Sequence, residues 1–179
     1  FLFWGSSSPD RLRDKERSMD LSFGPEYDDF RSDVVNFLNN NSDKAPKGGD
    51  LRGEQAKDWQ KLLIENGYTC RTIPKEYGGF GAEPDIIKSR IIGEEFSKSR
   101  VNPGLGGQGI SMLVPTLLEM GTEEQKQKFI RPTIHGDMIW CQGYSEPGAG
   151  SDLASLTTAA VLDGDEWVVN GQKIWTSTA

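Results

Sequence analysis

The sequence is poor in the residue types that hold metals and disulfide frameworks. It has one histidine, His135, and two cysteines, Cys70 and Cys141, which lie far apart in the chain. None of them stands in a zinc-ligand spacing, so no metal site is predicted. Two distant cysteines argue against a disulfide-stabilised secreted domain and favour reduced thiols in the cytoplasm. His135 follows Pro132 in a turn-like stretch and is interpreted as a solvated loop residue.

Excess positive charge and long apolar runs are also lacking. The chain of 179 residues carries 20 Lys and Arg against 27 Asp and Glu, which makes its net charge −7. A chain of this charge is a poor partner for nucleic acid or for an anionic membrane surface. No apolar run approaches the length of a membrane-spanning helix. The composition, with 35% hydrophobic and 26% charged residues, predicts a soluble globular protein.

The beginning of the chain differs in character from the rest. Residue 1 is not Met, and the short apolar start is followed at once by charged residues, which excludes a signal-peptide core. Met19 is a better candidate for the natural start. Residues 1–18 are therefore interpreted as a foreign or disordered leader, with an unusual natural extension as the alternative.

Residues 19–138 have the hydrophobic spacing of helices. Apolar residues recur at intervals of three and four, and capping or turn residues separate the segments. The pattern predicts five helices: one from about Met19 to Asn39, one over 53–66, one that Pro84 opens, one over 110–118 that Gly121 closes, and a short one that a Thr122–Gln125 capping box begins and that stops before Pro132. We expect these residues to form one helical domain.

Residues 139–179 have the chemistry of strands and turns. Strands are predicted at 139–145, 155–162 and 172–178, and hairpin turns at Asp163-Gly164 and Asn170-Gly171. The fold class is therefore α+β: an all-α helical bundle followed by the first strands of an antiparallel β-barrel or sandwich. The last strand has an edge that needs further strands, so the chain is expected to be a fragment.

Two stretches of the second region have the chemistry of a binding site. The loop 143–152 (GYSEPGAGSD) has small residues and backbone N–H groups that suit an anionic or carbonyl-rich ligand. The segment 170–177 (NGQKIWTS) ends on an indole and two hydroxyls, which suit a planar ring with polar edges. Singly, each stretch is more often a turn or a core strand. Together they predict a site for a large planar cofactor.

Two phosphate-binding motifs are excluded by their context. The run Gly148-Ala149-Gly150 lacks the third glycine, the helix and the βαβ unit of a dinucleotide-binding fold, so a nicotinamide enzyme is not predicted. The glycine-rich run 103–109 lacks both a preceding strand and the Lys-Ser/Thr ending of a phosphate loop.

The two stretches 143–152 and 170–177 resemble the signature of the acyl-CoA dehydrogenase family. That resemblance implies that the chain binds FAD and an acyl-CoA. The groups that it implies at the flavin ring are Gln142, Gly143, Tyr144 and Ser145, with Trp175 over the isoalloxazine and Thr176 and Ser177 at its N5 edge. It implies Gly150 and Ser151 near the flavin phosphates and the CoA thioester arm, with Ser151 also binding substrate.

The resemblance further implies oxidation of an acyl-CoA to the 2,3-enoyl-CoA, with hydride transfer to flavin N5. The catalytic carboxylate is expected beyond Ala179, in a C-terminal helical domain that the fragment lacks, while Glu146 is assigned a structural role in its loop. The run 103–109 is expected to lie near the acyl chain. The implied partners are an electron-transfer flavoprotein and further copies, as a homodimer or homotetramer.

Three alternatives to the dehydrogenase remain open at this point. The same scaffold supports acyl-CoA oxidases and flavin monooxygenases. A third possibility is a non-catalytic α+β binding or assembly module, in which the signature loop serves only structure. The dehydrogenase is favoured because 146–148 and 175–177 match that branch well.

Overall fold

The computed structural model of the chain describes residues 24–47 and 53–177. The predicted leader over residues 1–18, the predicted helix start at Met19 and the last residue of the predicted strand 172–178 lie outside the described residues. Within them, helices come first in the chain and a two-stranded antiparallel sheet comes last. The predicted α+β class is thereby confirmed.

The described residues form five α-helices and two strands, together with short 3-10 turns and a π-helical turn, Gly109–Leu113, that leads into the fourth α-helix. The helices are α1 (Pro25–Asn41), α2 (Glu54–Glu65), α3 (Ile86–Ser99), α4 (Val114–Met120) and α5 (Glu123–Ile134). The strands are β1 (Ala159–Asp163) and β2 (Glu166–Asn170), which pair antiparallel with Leu162 opposite Trp167. No helix in the described ranges has the length and apolarity needed to cross a membrane.

One half of the helical core lies between α1, α2 and α3. Trp59 of α2 is 1% exposed, and its ring centroid lies 5.8 Å from that of Phe37 in α1. Burial of rings of this size is among the largest single contributions to a small core. The Trp59 indole N–H also donates a 2.8 Å hydrogen bond to the Asn102 carbonyl, which ties α2 to the glycine-rich loop.

The other half of the core lies between α2, α4 and α5, around Ile64, Val114, Ile130 and Ile134. Gln60 is completely buried there, and both ends of its carboxamide are used. Its Nε2 donates to the Ile134 carbonyl and its Oε1 accepts from the Leu105 N–H, each at 2.8 Å. A buried amide is stable only when it is satisfied in this way, so Gln60 joins α2, α5 and the loop after residue 102.

An ion-pair cluster joins the surfaces of α1 and α3. Arg31 on α1 bonds the carboxylates of Glu94 and Glu95 on α3, and Arg90 reaches Glu94 at 2.8 Å. Hydrogen bonds from Arg90 and then Arg31 lower the pKa of Glu94 to about 2. The cluster sets the alignment of the two helices. Because ion pairs near the surface contribute little free energy, the apolar packing between α1 and α3 supplies most of the stability.

Three details of the helical region differ from the prediction. Helix α5 continues through Pro132 to Ile134, because Thr133 and Ile134 are buried and their packing outweighs the hydrogen bond that proline cannot make. Helix α3 begins at Ile86, after the cap Asp85 and not at Pro84, because the Asp85 carboxylate accepts from the Lys88 N–H at 2.9 Å. His135 lies in the turn after α5, as predicted, but is half-buried and not fully solvated.

Among the described residues the structure has no regular strand at 139–145 or at 172–177, so these two strand predictions are wrong there. The Asp163-Gly164 turn joins β1 and β2 as predicted, but Asn170-Gly171 does not make a second hairpin. Residues 142–145 and 174–177 lie side by side and are joined by two backbone hydrogen bonds, Gln142 N–H to the Ser177 carbonyl and Ile174 N–H to the Ser145 carbonyl. The hairpin itself is exposed on both faces, with Trp167 at 66% and Val161 at 63%.

The capping box of α5 provides a test of the helical domain. The Thr122 hydroxyl accepts from the Gln125 N–H at 3.3 Å, and the Gln125 side chain accepts from the Thr122 N–H at 3.0 Å. We expect Thr122→Ala to lower the free energy of unfolding by about 1 kcal/mol, measured by urea titration. Thr116→Ala, at an exposed position inside α4, should change it by less than about 0.5 kcal/mol. Equal effects of the two substitutions would contradict the role of the cap.

Candidate functional site

Two segments that the sequence assigned to the flavin lie next to each other. The Gln142 N–H donates to the Ser177 carbonyl at 3.3 Å, and the Ile174 N–H donates to the Ser145 carbonyl at 2.9 Å. These bonds run antiparallel in one register, which places Tyr144 opposite Trp175 and Gly143 opposite Thr176. The tertiary structure therefore brings together residues that are about thirty positions apart, with the β1–β2 hairpin in the connection between them.

The conformation of Trp175 explains why this pair of segments is not a regular ladder. Its φ angle is 55°, a left-handed value that is rare for an aromatic residue. A residue in this conformation turns the backbone out of the extended path, so the pairing on either side of it loses its regular spacing. The indole is 84% exposed as a result, and Tyr144 opposite it is 52% exposed. Two aromatic groups are thus presented on an open surface.

The buried carboxylate of Glu146 links the segments around the two facing stretches of backbone. Its side chain is only 5% exposed, and its carboxylate accepts hydrogen bonds from both the N–H and the hydroxyl of Thr157 at 2.8 Å. The N–H of Thr158 adds a bond of 2.9 Å to the other carboxylate oxygen. A buried carboxylate is tolerated when it is satisfied in this manner, and it then fixes the segments that supply its donors.

Lys173 completes the cluster and joins it to the two facing segments. Its Nζ donates to Glu146 Oε1 and to the Tyr144 carbonyl, each at 3.0 Å. The adjacent Thr158 side chain, the backbone N–H of Thr157 and the Lys173 ammonium hold the pKa of Glu146 well below its ordinary value. Glu146 is therefore a charged structural group, as its position before Pro147 suggested, and is not poised to remove a proton from a substrate.

The proline–glycine loop is a tight turn that faces open space. The backbone groups of Glu146 and Ala149 bond each other at 2.8 and 3.0 Å, which closes the turn around Pro147 and Gly148. A Cβ added at Gly148 or Gly150 would meet no atom within 4 Å. The next residue, Ser151, is also exposed. The side of the loop formed by Gly148, Gly150 and Ser151 is thus open to a ligand group.

The donor set fits the polar edges and phosphates of a flavin nucleotide. Among the described residues, the hydroxyls of Ser145, Ser151 and Thr176 have no hydrogen-bond partner. The backbone N–H groups of Tyr144, Gly150 and Ser151 likewise have none in the described part of the chain. Uncommitted hydroxyl and N–H groups beside an exposed indole suit a planar ring with carbonyl and nitrogen edges. The residues present therefore fit FAD.

The assigned residues divide into two groups by position. One group lies on the facing segments: Gln142, Gly143, Tyr144, Ser145, Trp175, Thr176 and Ser177. The other, Gly150 and Ser151, follows the tight turn, and the described hydrogen bonds do not join it to 174–177. The sequence reasoning missed Lys173, Thr157 and Thr158. Their separations from Glu146 are 27, 11 and 12 residues, so no local pattern could reveal them.

A cleft is lined by residues that directly precede the segment 142–145 in the chain. Its volume is about 290 Å³, and its walls are the glycine-rich loop 104–107 with the helical turn that follows it, the end of α5, Ala56 and Lys57 of α2, and residues 138–140. Trp140 lines it, and the indole N–H of Trp140 donates to the Thr133 hydroxyl at 2.8 Å. Gly109 packs so closely here that an added Cβ would lie 2.6 Å from the Trp140 ring. The loop expected near the acyl chain therefore forms a wall of a real cavity.

The charge state of Glu146 makes the stability of this region dependent on pH. Because the folded-state pKa lies below the ordinary value of 4.5, the carboxylate stabilises the fold at neutral pH, and this contribution is lost as the pH falls below 4.5. We expect Glu146→Gln to lower the free energy of unfolding at pH 7, with a difference from the parent that shrinks in acid. Glu83→Gln, at an exposed position, should change it by less than about 0.5 kcal/mol at pH 7. Urea titrations across pH test this, and a difference that stays constant into acid would contradict it.

Comparison with known proteins identifies two successive domain profiles in the chain. Residues 24–137 match the acyl-CoA dehydrogenase N-terminal domain, and residues 141–179 match the acyl-CoA dehydrogenase middle domain. The chain is 38% identical over 165 residues to acyl-CoA dehydrogenase IpdE1 of Mycobacterium tuberculosis, covering 86% of this chain and 42% of the relative.

Solved structures give the same result. A structure titled "Tcur3481-Tcur3483 steroid ACAD" superposes with a TM-score of 0.61 at 36% identity, over 89% of this chain and 41% of that one. A glutaryl-coenzyme A dehydrogenase complexed with glutaryl-CoA superposes with a TM-score of 0.55 at 26% identity, over 88% and 40%. The chain thus spans about two fifths of the length of these proteins. With both domain profiles matched in order over most of its residues, the chain belongs to the acyl-CoA dehydrogenase family.

Proposed function

We propose that the chain is the flavin-facing and acyl-facing part of an FAD-dependent acyl-CoA dehydrogenase, which converts an acyl-CoA thioester to the 2,3-enoyl-CoA. The observation that carries this proposal is the register of 142–145 against 174–177, with exposed Trp175 and Tyr144 above uncommitted donors. Bound FAD would supply the acceptor for the hydride that leaves the β-carbon.

The residues of the chain would bind and orient the reactants. The backbone and hydroxyl groups of 142–145 would hold one polar edge of the ring, while Thr176 and Ser177 hold another. The Trp175 indole would cover a face of the ring and exclude water from it. Ser151 and Gly150, on the open side of the tight turn, would contact the phosphates and the thioester arm. Holding the reacting carbons against the ring is the main contribution expected of such groups.

Removal of a proton from the acyl-CoA would require a base that is not among the residues of this site. The carboxylate of Glu146 is buried and committed to Thr157, Thr158 and Lys173, so it does not face a substrate. We propose a base beyond Ala179, in a C-terminal helical domain that also joins copies into a dimer or tetramer. An electron-transfer flavoprotein is the proposed acceptor of the electrons, and the boundary between the two domains is proposed at residues 138 and 139.

Absorbance measurements test the proposal directly. The longest natural polypeptide that contains these 179 residues should purify with flavin absorbance, and an acyl-CoA should bleach it in the absence of oxygen. The chain of 179 residues by itself should bind FAD weakly or not at all, and an acyl-CoA should not bleach the flavin mixed with it. A colourless long polypeptide would favour the binding module, and rapid oxygen consumption with acyl-CoA would favour the oxidase.

Lys173 provides a sharper test, because its ammonium is bonded to Glu146 and to the Tyr144 carbonyl and so orders the two facing segments. In the long polypeptide we expect Lys173→Met to weaken FAD binding by about tenfold, the effect of losing a charged hydrogen bond. The measurements are the dissociation constant from flavin fluorescence and the shape of the bound flavin spectrum. The control is Lys47→Met, an exposed position without a hydrogen bond among the described residues. Equal FAD affinity of the two variants would show that Lys173 does not order the site.

A further inference from the structure

The side chain of Trp140, which directly precedes the flavin-facing segment, is held by the helical region. Its indole N–H donates to the Thr133 hydroxyl at 2.8 Å, and its ring meets that of Phe129 edge to face, with 5.7 Å between the centroids. Both partners belong to α5. On another side Gly109 packs so closely that an added Cβ would lie 2.6 Å from the indole ring. The position of the indole is therefore set by α5 and by the turn that leads into α4.

The hydrogen bond of the indole belongs to a short chain of bonds. The Thr133 hydroxyl, which accepts from Trp140, itself donates to the Phe129 carbonyl at 2.6 Å. Thr133 is 3% exposed, so little water reaches its hydroxyl. A hydroxyl that donates to one group and accepts from another is fixed in orientation, and removing one partner costs free energy because the other is left buried. The indole N–H thus contributes to the anchor in addition to the packing of the ring.

The anchor lies at the entry of the segment 142–145. Only Cys141 separates Trp140 from Gln142, whose N–H donates to the Ser177 carbonyl at 3.3 Å. At the exit of the segment stands the buried carboxylate of Glu146, with its cluster of hydrogen bonds. A short stretch of backbone that is fixed at both ends has few alternative conformations. The donors of 142–145 are therefore held between two anchors, one on the helical side and one on the side of the hairpin.

We infer that Trp140 is a positioning residue for the flavin, because its bond to Thr133 fixes the entry of the segment whose backbone and hydroxyl groups hold the ring. Trp140 acts through the segment 142–145. Without the anchor, the segment has the arrangement that binds the ring for only a fraction of the time. The apparent dissociation constant of FAD then rises in inverse proportion to that fraction. This inference rests on the proposed function and adds a residue of the helical side to the site.

Two substitutions that remove the same hydrogen bond from opposite ends test the inference in the long polypeptide. Trp140→Phe removes the donor and keeps an aromatic ring against Phe129, while Thr133→Val removes the acceptor with little change of shape. We expect each to raise the dissociation constant of FAD about fivefold, the factor that one neutral hydrogen bond contributes. The double variant should lose no more than either single variant, because the bond can be lost only once. The measurements are flavin fluorescence titration and the shape of the bound flavin spectrum.

Hydrogen–deuterium exchange of the flavin-free polypeptide gives a readout that does not involve the cofactor. In both single variants we expect faster exchange over residues 139–146, because the Gln142 N–H is less protected when the entry of its segment is loose. Exchange in β1 and β2 should stay as in the parent. A general loss of stability would instead raise exchange in the helices as well.

Thr116→Val is the matched control for Thr133→Val. The Thr116 hydroxyl also donates to the carbonyl four residues earlier, that of Met112 at 2.8 Å, but it lies at an exposed position of α4. We expect its FAD affinity to stay within about twofold of the parent. Trp167→Phe, at an exposed position of β2, is the control for Trp140→Phe and should behave in the same way.

Three results would overturn the inference: FAD affinity within about twofold of the parent in a folded anchor variant, an equal loss in its control, or a double variant whose loss is the product of the single losses. Should one anchor variant fail to fold, the other decides with its own control. A parent polypeptide that binds no FAD would reject the proposed function and this inference with it. A parent that binds FAD as tightly as its anchor variants would reject only the role of Trp140.

Discussion

The buried carboxylate of Glu146 connects three parts of the chain that have little other reason to meet. The segment after the tight turn supplies Thr157 and Thr158, the end of the described chain supplies Lys173, and Glu146 itself stands in the proline–glycine loop. A charge in this position is stable only while its partners stay in place. The alignment of 142–145 with 174–177, and with it the exposed surface at Trp175, is supported by this cluster as well as by the backbone hydrogen bonds between the two segments.

A second buried polar group performs a similar task in the helical region. Gln60 holds the glycine-rich loop against α2 and the end of α5, and Trp59 beside it holds the start of that loop. Consecutive residues of one helix thus position the wall of the cleft. The two polar anchors act on successive stretches of the chain, since the cleft ends at Trp140 and the segment 142–145 begins two residues later.

The exposed hairpin has a different character from the helical core. β1 and β2 pair along five residues, yet Val161, Trp167 and Val169 are all more than 60% exposed. Two strands have no second layer against which to bury such side chains. The helical region, in contrast, has two apolar clusters that share α2. Most of the packing energy of the described residues thus lies before residue 138.

Local patterns in the sequence determined the helices, the α5 capping box, the Asp163-Gly164 turn and the two stretches that point to a planar cofactor. These features follow from spacing, capping and turn chemistry, which act between near neighbours. The tertiary structure alone decided three others. Burial of Ile134 carries α5 past Pro132, the left-handed φ of Trp175 interrupts the predicted strand, and Lys173 reaches Glu146 across 27 residues. Each of these depends on contacts between distant positions, which single-sequence periodicity does not contain.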